Sequence, residues 1–146
     1  MAEPVTQTPN AGANEKEQTI QLILKKLAYI AIQFQNIDRN EIFGDYLRAK
    51  TKEQRRNAWE EFWTFYEVPR MVWKARRDVI KLINPESTKR QRDYAKGNLK
   101  ILLEIIPNFI TRKINQCIND KRKERYLKLL DEFNKAKEMI EKTVLS

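Results

Sequence analysis

The chain has 146 residues, 41% hydrophobic and 34% charged, with a formal net charge of +9, and this length fits one domain whose core needs no disulfides. It contains no histidine and one cysteine, Cys117, so it lacks the commonest general base and cannot form a cysteine-based zinc site. No apolar run reaches the ~20 residues of a membrane span, and the start of the chain lacks the basic and then apolar pattern of a signal peptide, so we expect neither.

Residues 1–14 include two prolines and a glycine and show no hydrophobic periodicity, which predicts an extended, flexible N-terminal arm. Asn14, with Glu17 at the third helical position, forms a capping-box pattern that starts the first helix at Glu15. This helix runs to about Asn36 and has apolar residues at spacings of three and four on its inner side. Three more apolar residues lie on other sides and indicate a central helix or one that meets a second subunit: Leu22, Tyr29 and Ile32.

A short helix over 41–48 is expected next, and a second capping-box pattern at Thr51 and Gln54 starts a helix from Lys52 to Glu67. Four aromatic residues share one side of this helix: Trp59, Phe62, Trp63 and Tyr66. Their helical spacing favours packing in the core, and stacking on unpaired nucleic-acid bases is the alternative.

Pro69 precedes a helix from Arg70 to Ile83, which Asn84-Pro85 ends because proline disfavours the α conformation at the residue before it. One side of this helix is apolar, and the opposite side carries a row of four cations: Arg70, Lys74, Arg77 and Lys81. Such a row is either a solvated face or a surface that binds a polyanion. Trp73 flanks the row and is the aromatic residue that we would test for stacking.

The next helix is expected to start at 85–87 and to end at Ile106, before Pro107. Its outer side carries a second cationic row: Lys89, Lys96 and Lys100. Beyond Pro107, residues 108–142 read either as one helix or as two, and a break near Asn119-Asp120 is slightly favoured.

Together these elements predict an all-α protein, with the arm at 1–14 and a single domain over 15–146 that forms a bundle of about five to seven helices. Residues 48–128 hold 22 Lys/Arg and 10 Asp/Glu, whereas the flanking segments are slightly acidic. A concentrated positive block indicates a nucleic acid, an anionic lipid or an acidic protein as partner, unless it serves only solubility. The candidate nucleic-acid-binding residues are cations of this block: Arg48, Lys50, Lys52, Arg55, Arg56, Arg70, Lys74, Arg77, Lys81, Lys89, Arg90, Arg92, Lys96 and Lys100.

The sequence contains no motif that indicates catalysis. There is no glycine-rich phosphate loop, and the adjacent carboxylates Glu60-Glu61 and Asp131-Glu132 point about 100° apart on a helix, which makes each a poor acid–base or metal pair. We therefore expect no catalytic residue, no metal ion, no cofactor and no enzyme activity. A nuclease built from scattered carboxylates is the alternative.

A flexible arm followed by a basic, all-helical bundle without catalytic residues resembles the major coat proteins of filamentous archaeal viruses. The resemblance lies in the layout of the whole chain: the arm at 1–14, the proline-punctuated helices and the cationic row from Arg70 to Lys81. The histidine-free composition rich in Ile, Lys and Glu is also similar to that of proteins from hot environments. The resemblance implies subunits that wrap linear double-stranded DNA, hold it in the A form, often pair with a related second coat subunit and reside in the virion.

We thus expect a structural protein that contacts double-stranded DNA through phosphates, without sequence preference, and self-associates into a filament. Two alternatives stay open. The chain is also similar to the small helical RNA-binding subunits of type III CRISPR effectors, and it could be a protein–protein adaptor whose positive block meets an acidic partner. Either alternative would place it in the cytoplasm.

Overall fold

The computed structural model describes residues 11–146, and within that range it contains six α-helices and no strand. This confirms the expected all-α bundle. The helices are α1 (Ala11–Gln35), α2 (Arg39–Arg48), α3 (Lys52–Trp63), α4 (Glu67–Ile83), α5 (Lys89–Gln116) and α6 (Asp120–Thr143).

Four long helices, α1, α4, α5 and α6, form an up-down-up-down bundle in which each packs against two others. The neighbours are α1 with α4, α4 with α5, α5 with α6, and α6 with α1. Contacts run in opposite order along neighbouring helices, as for Lys26 with Glu132 and Phe34 with Tyr126. The core between them is aliphatic, with Leu27, Val79, Ile106 and similar side chains fully buried, because each helix repeats apolar residues every three to four positions.

The two short helices, α2 and α3, pack on each other and form a hairpin between α1 and α4. α3 also packs against the C-terminal part of α5, where Gln116 Nε2 donates to Glu60 Oε2 at 3.0 Å. The hairpin therefore covers the end of the bundle at which α5 ends and α6 begins.

The start of α1 differs from the sequence-based expectation. α1 begins at Ala11 rather than Glu15, so Asn14 lies inside the helix and is not its N-cap. The expected arm is thus corrected for residues 11–14, and its remainder, residues 1–10, lies outside the described part of the chain.

Two boundaries shift around Pro69. α3 ends at Trp63, four residues earlier than expected, and α4 begins at Glu67, so that Pro69 lies inside its first turn. The first backbone N–H groups of a helix have no intrahelical partner, and proline, which lacks that group, fits there at no cost in hydrogen bonds.

The prediction that Pro107 ends a helix is wrong. α5 is continuous from Lys89 to Gln116 and contains Pro107 in its interior. The break near Asn119-Asp120 is confirmed, since Asn119 is the N-cap of α6 and its side chain accepts a hydrogen bond from Arg122 N at 2.8 Å. Residues 108–142 are therefore the end of one helix and most of another.

Across residues 11–146, no helix combines the length and the apolar character that crossing a bilayer requires.

Candidate nucleic-acid interface

The cationic row of α4 lies on the solvent side of the bundle. Its four side chains are all exposed, and none of them has a carboxylate oxygen of the described residues within 4 Å: Arg70, Lys74, Arg77 and Lys81. The opposite side of α4 is buried through Val72, Ala75 and Val79. The helix thus presents four cations on one side, without ion pairs to carboxylates in residues 11–146.

Trp73 flanks the row and also contacts α1. Its ring is half-buried against the core, and Nε1 donates to Gln35 Oε1 of α1 at 3.4 Å. One turn later, Arg76 Nε donates to the backbone oxygen of Leu24 at 3.0 Å. These side chains connect α4 to α1, and stacking on Trp73 stays a prediction.

A buried carboxylate lies beside the row. Asp78 is buried, and its Oδ2 has no hydrogen-bond partner within the described residues. Burial raises the pKa of Asp78, while the positive charges of Lys74, Lys81 and Arg77 lower it by less. Asp78 therefore subtracts part of the positive potential of the row without forming an ion pair with it.

The second cationic row, on α5, does not continue the first. Lys89 is paired with Asp93 at 2.8 Å, and Lys100 lies in the groove between α5 and α6 beside Glu104 and Glu141. α6 and α4 pack on different sides of α5 and do not contact each other. The two cationic rows therefore form two separate groups, because the bundle turns the α5 row towards α6.

The other candidates of this region differ in exposure. Lys96 and Arg90 are exposed, whereas Arg92 is half-buried and donates from Nη1 to the backbone oxygen of Ser87. Arg92 thus holds the turn between α4 and α5 closed and is a structural residue.

A third cationic group lies on the hairpin. Lys50, Lys52, Arg55 and Arg56 are exposed and have no ion pair with a described carboxylate. Arg48 is also exposed, but its Nη2 is paired with Asp45 Oδ1 at 3.3 Å. This group is carried by α3 and the turn before it, apart from the α4 row.

The prediction that the aromatic side of α3 packs in the core is wrong for three residues. Trp59, Trp63 and Tyr66 are 42%, 59% and 50% exposed, and Phe62 is half-buried. The buried side of α3 consists instead of Ala58 and Glu61, followed by Phe65 just beyond the helix. Both sides repeat at helical spacing, so periodicity alone could not tell which one faces inward.

Sequence reasoning missed a buried ionic cluster. Arg122 and Glu61 are 3% and 1% exposed and form two hydrogen bonds with each other. Tyr126 Oη donates to Glu61 Oε2 at 2.7 Å. Burial would lower the pKa of Arg122, but its bonds to Glu61 and Asp45 outweigh burial and raise it. A signal was available: Arg122 stands four residues before Tyr126, on the inner side of α6.

Two further titratable groups are buried near this cluster. Lys113 Nζ donates to Thr64 Oγ1, and burial lowers the pKa of Lys113 to about 8 despite the nearby carboxylates of Glu67 and Glu61. Burial raises the pKa of the Cys117 thiol to about 11, and Cys117 Sγ donates to the backbone oxygen of Asn119. Both side chains support the junction of α5, α6 and the hairpin, and a thiol with so high a pKa is a poor nucleophile at neutral pH.

No three His, Cys, Asp or Glu side chains in the described part of the chain are grouped so that they could hold a metal ion. Comparison of the chain with models of known protein families, with curated proteins and with solved structures found no match.

Proposed function

We propose that the protein binds double-stranded DNA through phosphate contacts of the α4 row and serves as a structural, non-catalytic nucleic-acid-binding protein. The observation that carries the proposal is the row itself: four exposed cations without carboxylate partners among the described residues, on the side of α4 opposite the core. Lysine and arginine in such an arrangement neutralise phosphates and release counterions without reading bases.

The dimensions of the row suit a duplex backbone. Arg70 and Lys81 are eleven residues apart, which corresponds to about 16 Å along a helix. One DNA strand places a phosphate about every 3.4 Å along the axis, so the row spans about five base pairs. The bundle beneath holds α4 between α1 and α5 and keeps these charges in a fixed order.

The finer proposal is a coat subunit of a filamentous archaeal virus, which would place the protein in the virion. It is supported by apolar surface on α1 that can meet a neighbouring subunit. Leu22, Tyr29 and Ile32 are each at least 44% exposed, and Tyr29 shares a groove with Leu127 of α6, which is 51% exposed. Side chains of this size on a monomer surface favour self-association, with itself or with a related second subunit.

The test is fluorescence anisotropy of a labelled random-sequence duplex, titrated with protein from about 50 to about 200 mM salt. We expect binding that weakens steeply with salt and does not depend on sequence. Replacing Arg70, Lys74, Arg77 and Lys81 by glutamine should lower the slope of log K against log salt by about 3 to 4.

The matched control removes four exposed cations outside the candidate groups: Lys16, Lys25, Lys121 and Arg125. Equal losses in both variants would show that only net charge matters and would contradict a site on α4. Electron microscopy of the protein mixed with linear duplex tests filament formation, and isolated particles without filaments would remove the coat proposal. Stronger binding of single-stranded RNA than of duplex at the row would favour the CRISPR-subunit alternative, and binding of acidic protein alone would favour the adaptor.

A further inference from the structure

Five aromatic rings of the hairpin form a closed circuit in which each ring contacts two others. We call it the aromatic platform; its centroid distances are 5.1 to 6.0 Å, and its members are Phe43, Tyr46, Trp59, Phe62 and Trp63. Phe43, Trp59 and Trp63 are 39%, 42% and 59% exposed. A cluster of large apolar rings at the surface of a folded chain marks a contact with something else.

Cations border the platform on one edge. Lys52, Arg55 and Arg56 line a shallow cleft together with Tyr46 and Trp59. These three cations are exposed and have no ion pair with any carboxylate of residues 11–146. On α3 they occupy the same side as Trp59 and Trp63, so that charge and ring face solvent together.

Another cation lies on the opposite edge. The guanidinium of Arg39 stacks 4.1 Å from the centroid of Phe62 and donates to the Phe62 backbone oxygen at 3.4 Å. It is also 5.6 Å from the ring of Tyr66. The rings are thus enclosed by positive charge on two edges.

The combination of exposed aromatic rings and neighbouring cations indicates which kind of molecule binds the platform. Planar faces suit nucleic-acid bases, and adjacent cations suit phosphates, but a duplex keeps its base faces stacked inside. A second copy of the same face, packed about a two-fold axis, would set positively charged edges against each other: Lys52, Arg55 and Arg56 would face either their own counterparts or Arg39 and repel them. Neither a duplex nor a second copy of the chain would therefore suit both the aromatic rings and the cations beside them.

We propose that the aromatic platform is a second, separate site, which binds single-stranded nucleic acid by stacking unpaired bases on Trp59 and Trp63 while Lys52, Arg55 and Arg56 hold the phosphates. The site is sequence-tolerant because every base has a planar face. It is independent of the α4 row, so either site can exist without the other.

Tryptophan fluorescence tests the proposal directly. The chain has three tryptophans, so W73F leaves Trp59 and Trp63 as the only emitters. Titration of this variant with oligo(dT) should quench the emission saturably, and an equal concentration of blunt duplex should quench it far less. By anisotropy of a labelled oligo(dT), each of W59A and W63A should weaken binding about tenfold.

Charge and position controls complete the experiment. R55Q/R56Q alters only exposed side chains, so it leaves the fold intact and should still weaken oligo(dT) binding. Y94A removes an aromatic ring of α5 that is more exposed than Trp59 or Trp63, and it should leave oligo(dT) binding unchanged. The fourfold α4-row variant should keep oligo(dT) quenching even if it loses duplex binding. This separates failure of the platform from failure of the proposed duplex site.

Four results would overturn the proposal. The first is absence of saturable quenching by oligo(dT). The second is loss of quenching in the α4-row variant together with full binding by R55Q/R56Q. The third is a self-associating protein that becomes monomeric in W59A/W63A without any affinity for oligo(dT), since the platform would then be a subunit contact. Preferential quenching by an acidic peptide would likewise assign the platform to a protein partner.

Discussion

Arg122 of α6 donates from Nε to Glu61 Oε2 of α3 at 2.7 Å and from Nη2 to Glu61 Oε1 at 2.9 Å. The same guanidinium donates to Asp45 and Glu41 of α2. One buried side chain from the bundle therefore binds both helices of the hairpin. Since the hairpin carries the aromatic platform, this ionic cluster determines where the platform stands relative to the bundle.

Removing the guanidinium should destabilise the protein strongly. R122M leaves the carboxylate of Glu61 buried without its cation and leaves Asp45 with only the exposed Arg48, and breaking a buried pair on one side costs about 3–5 kcal/mol. Chemical denaturation followed by circular dichroism measures the loss. R125M changes an exposed arginine of the same helix and should alter the free energy of unfolding by less than about 0.5 kcal/mol. Equal effects of the two variants would show that the cluster does not hold the hairpin.

Lys113 should make the free energy of unfolding depend on pH in the alkaline range. Its pKa is lowered to about 8 in the fold from 10.5 in a free chain. Between these values the unfolded chain binds more protons than the native one, so the contribution of Lys113 to stability rises with pH from about 8 to 10.5. K113M lacks this contribution, and its unfolding free energy should fall relative to wild type by about 3 kcal/mol over that range.

Comparison with wild type at each pH removes the other groups that titrate there. Burial raises the pKa of the Cys117 thiol to about 11, and burial together with Glu61 raises the pKa of the Tyr126 phenol. The contribution of each group to the stability of the protein therefore falls with rising pH, equally in wild type and in K113M. A difference between K113M and wild type that does not change with pH would show that the Lys113 ammonium is not desolvated in the fold.

Asp78 links stability to DNA binding. Burial raises the pKa of this carboxyl, so the fold favours its neutral form, and D78N should increase the midpoint of thermal unfolding at pH 7. The gain should vanish as pH falls and wild-type Asp78 becomes protonated. Because the charge beside Lys74, Arg77 and Lys81 is also removed, D78N should bind duplex DNA more tightly.

D93N is the matched control for D78N. The hydrogen bond and charge of Lys89 lower the pKa of Asp93, which is fully exposed, so D93N should not increase stability. A lower unfolding midpoint for D78N than for wild type would contradict this prediction. It would mean that the attraction between the Asp78 carboxylate and the neighbouring cations outweighs the cost of burying that carboxylate.

Pro107 should be a position where stability can be gained. It lies inside α5, where it cannot donate to the backbone oxygen of Leu103 and its ring crowds the preceding turn. P107A restores that bond and should stabilise the protein by about 1–3 kcal/mol, measured by urea denaturation. P85A, in the loop between α4 and α5, should instead be neutral or slightly destabilising, because alanine gives the unfolded chain more conformational entropy than proline does. Destabilisation by P107A would show that α5 needs the proline for its packing.

The sequence by itself determined the fold class, most helix positions and the identity of the exposed row on α4. Apolar residues at spacings of three and four can be buried only along one side of a helix, and the capping residue Thr51 marks the start of α3. The row from Arg70 to Lys81 followed from the same geometry, because a helix with one strongly apolar side has only one side left for four cations.

Only the tertiary structure decided which side of α3 is buried, where the α5 row faces and that Arg122 is internal. These depend on which helices become neighbours: α6 places Arg122 against Glu61, and this draws Glu61 inward and leaves Trp59 and Trp63 outside. A charge that finds its partner 61 residues away in the chain has no local pattern. The energy of a buried ion pair depends on three-dimensional proximity, which periodicity along a single helix does not contain.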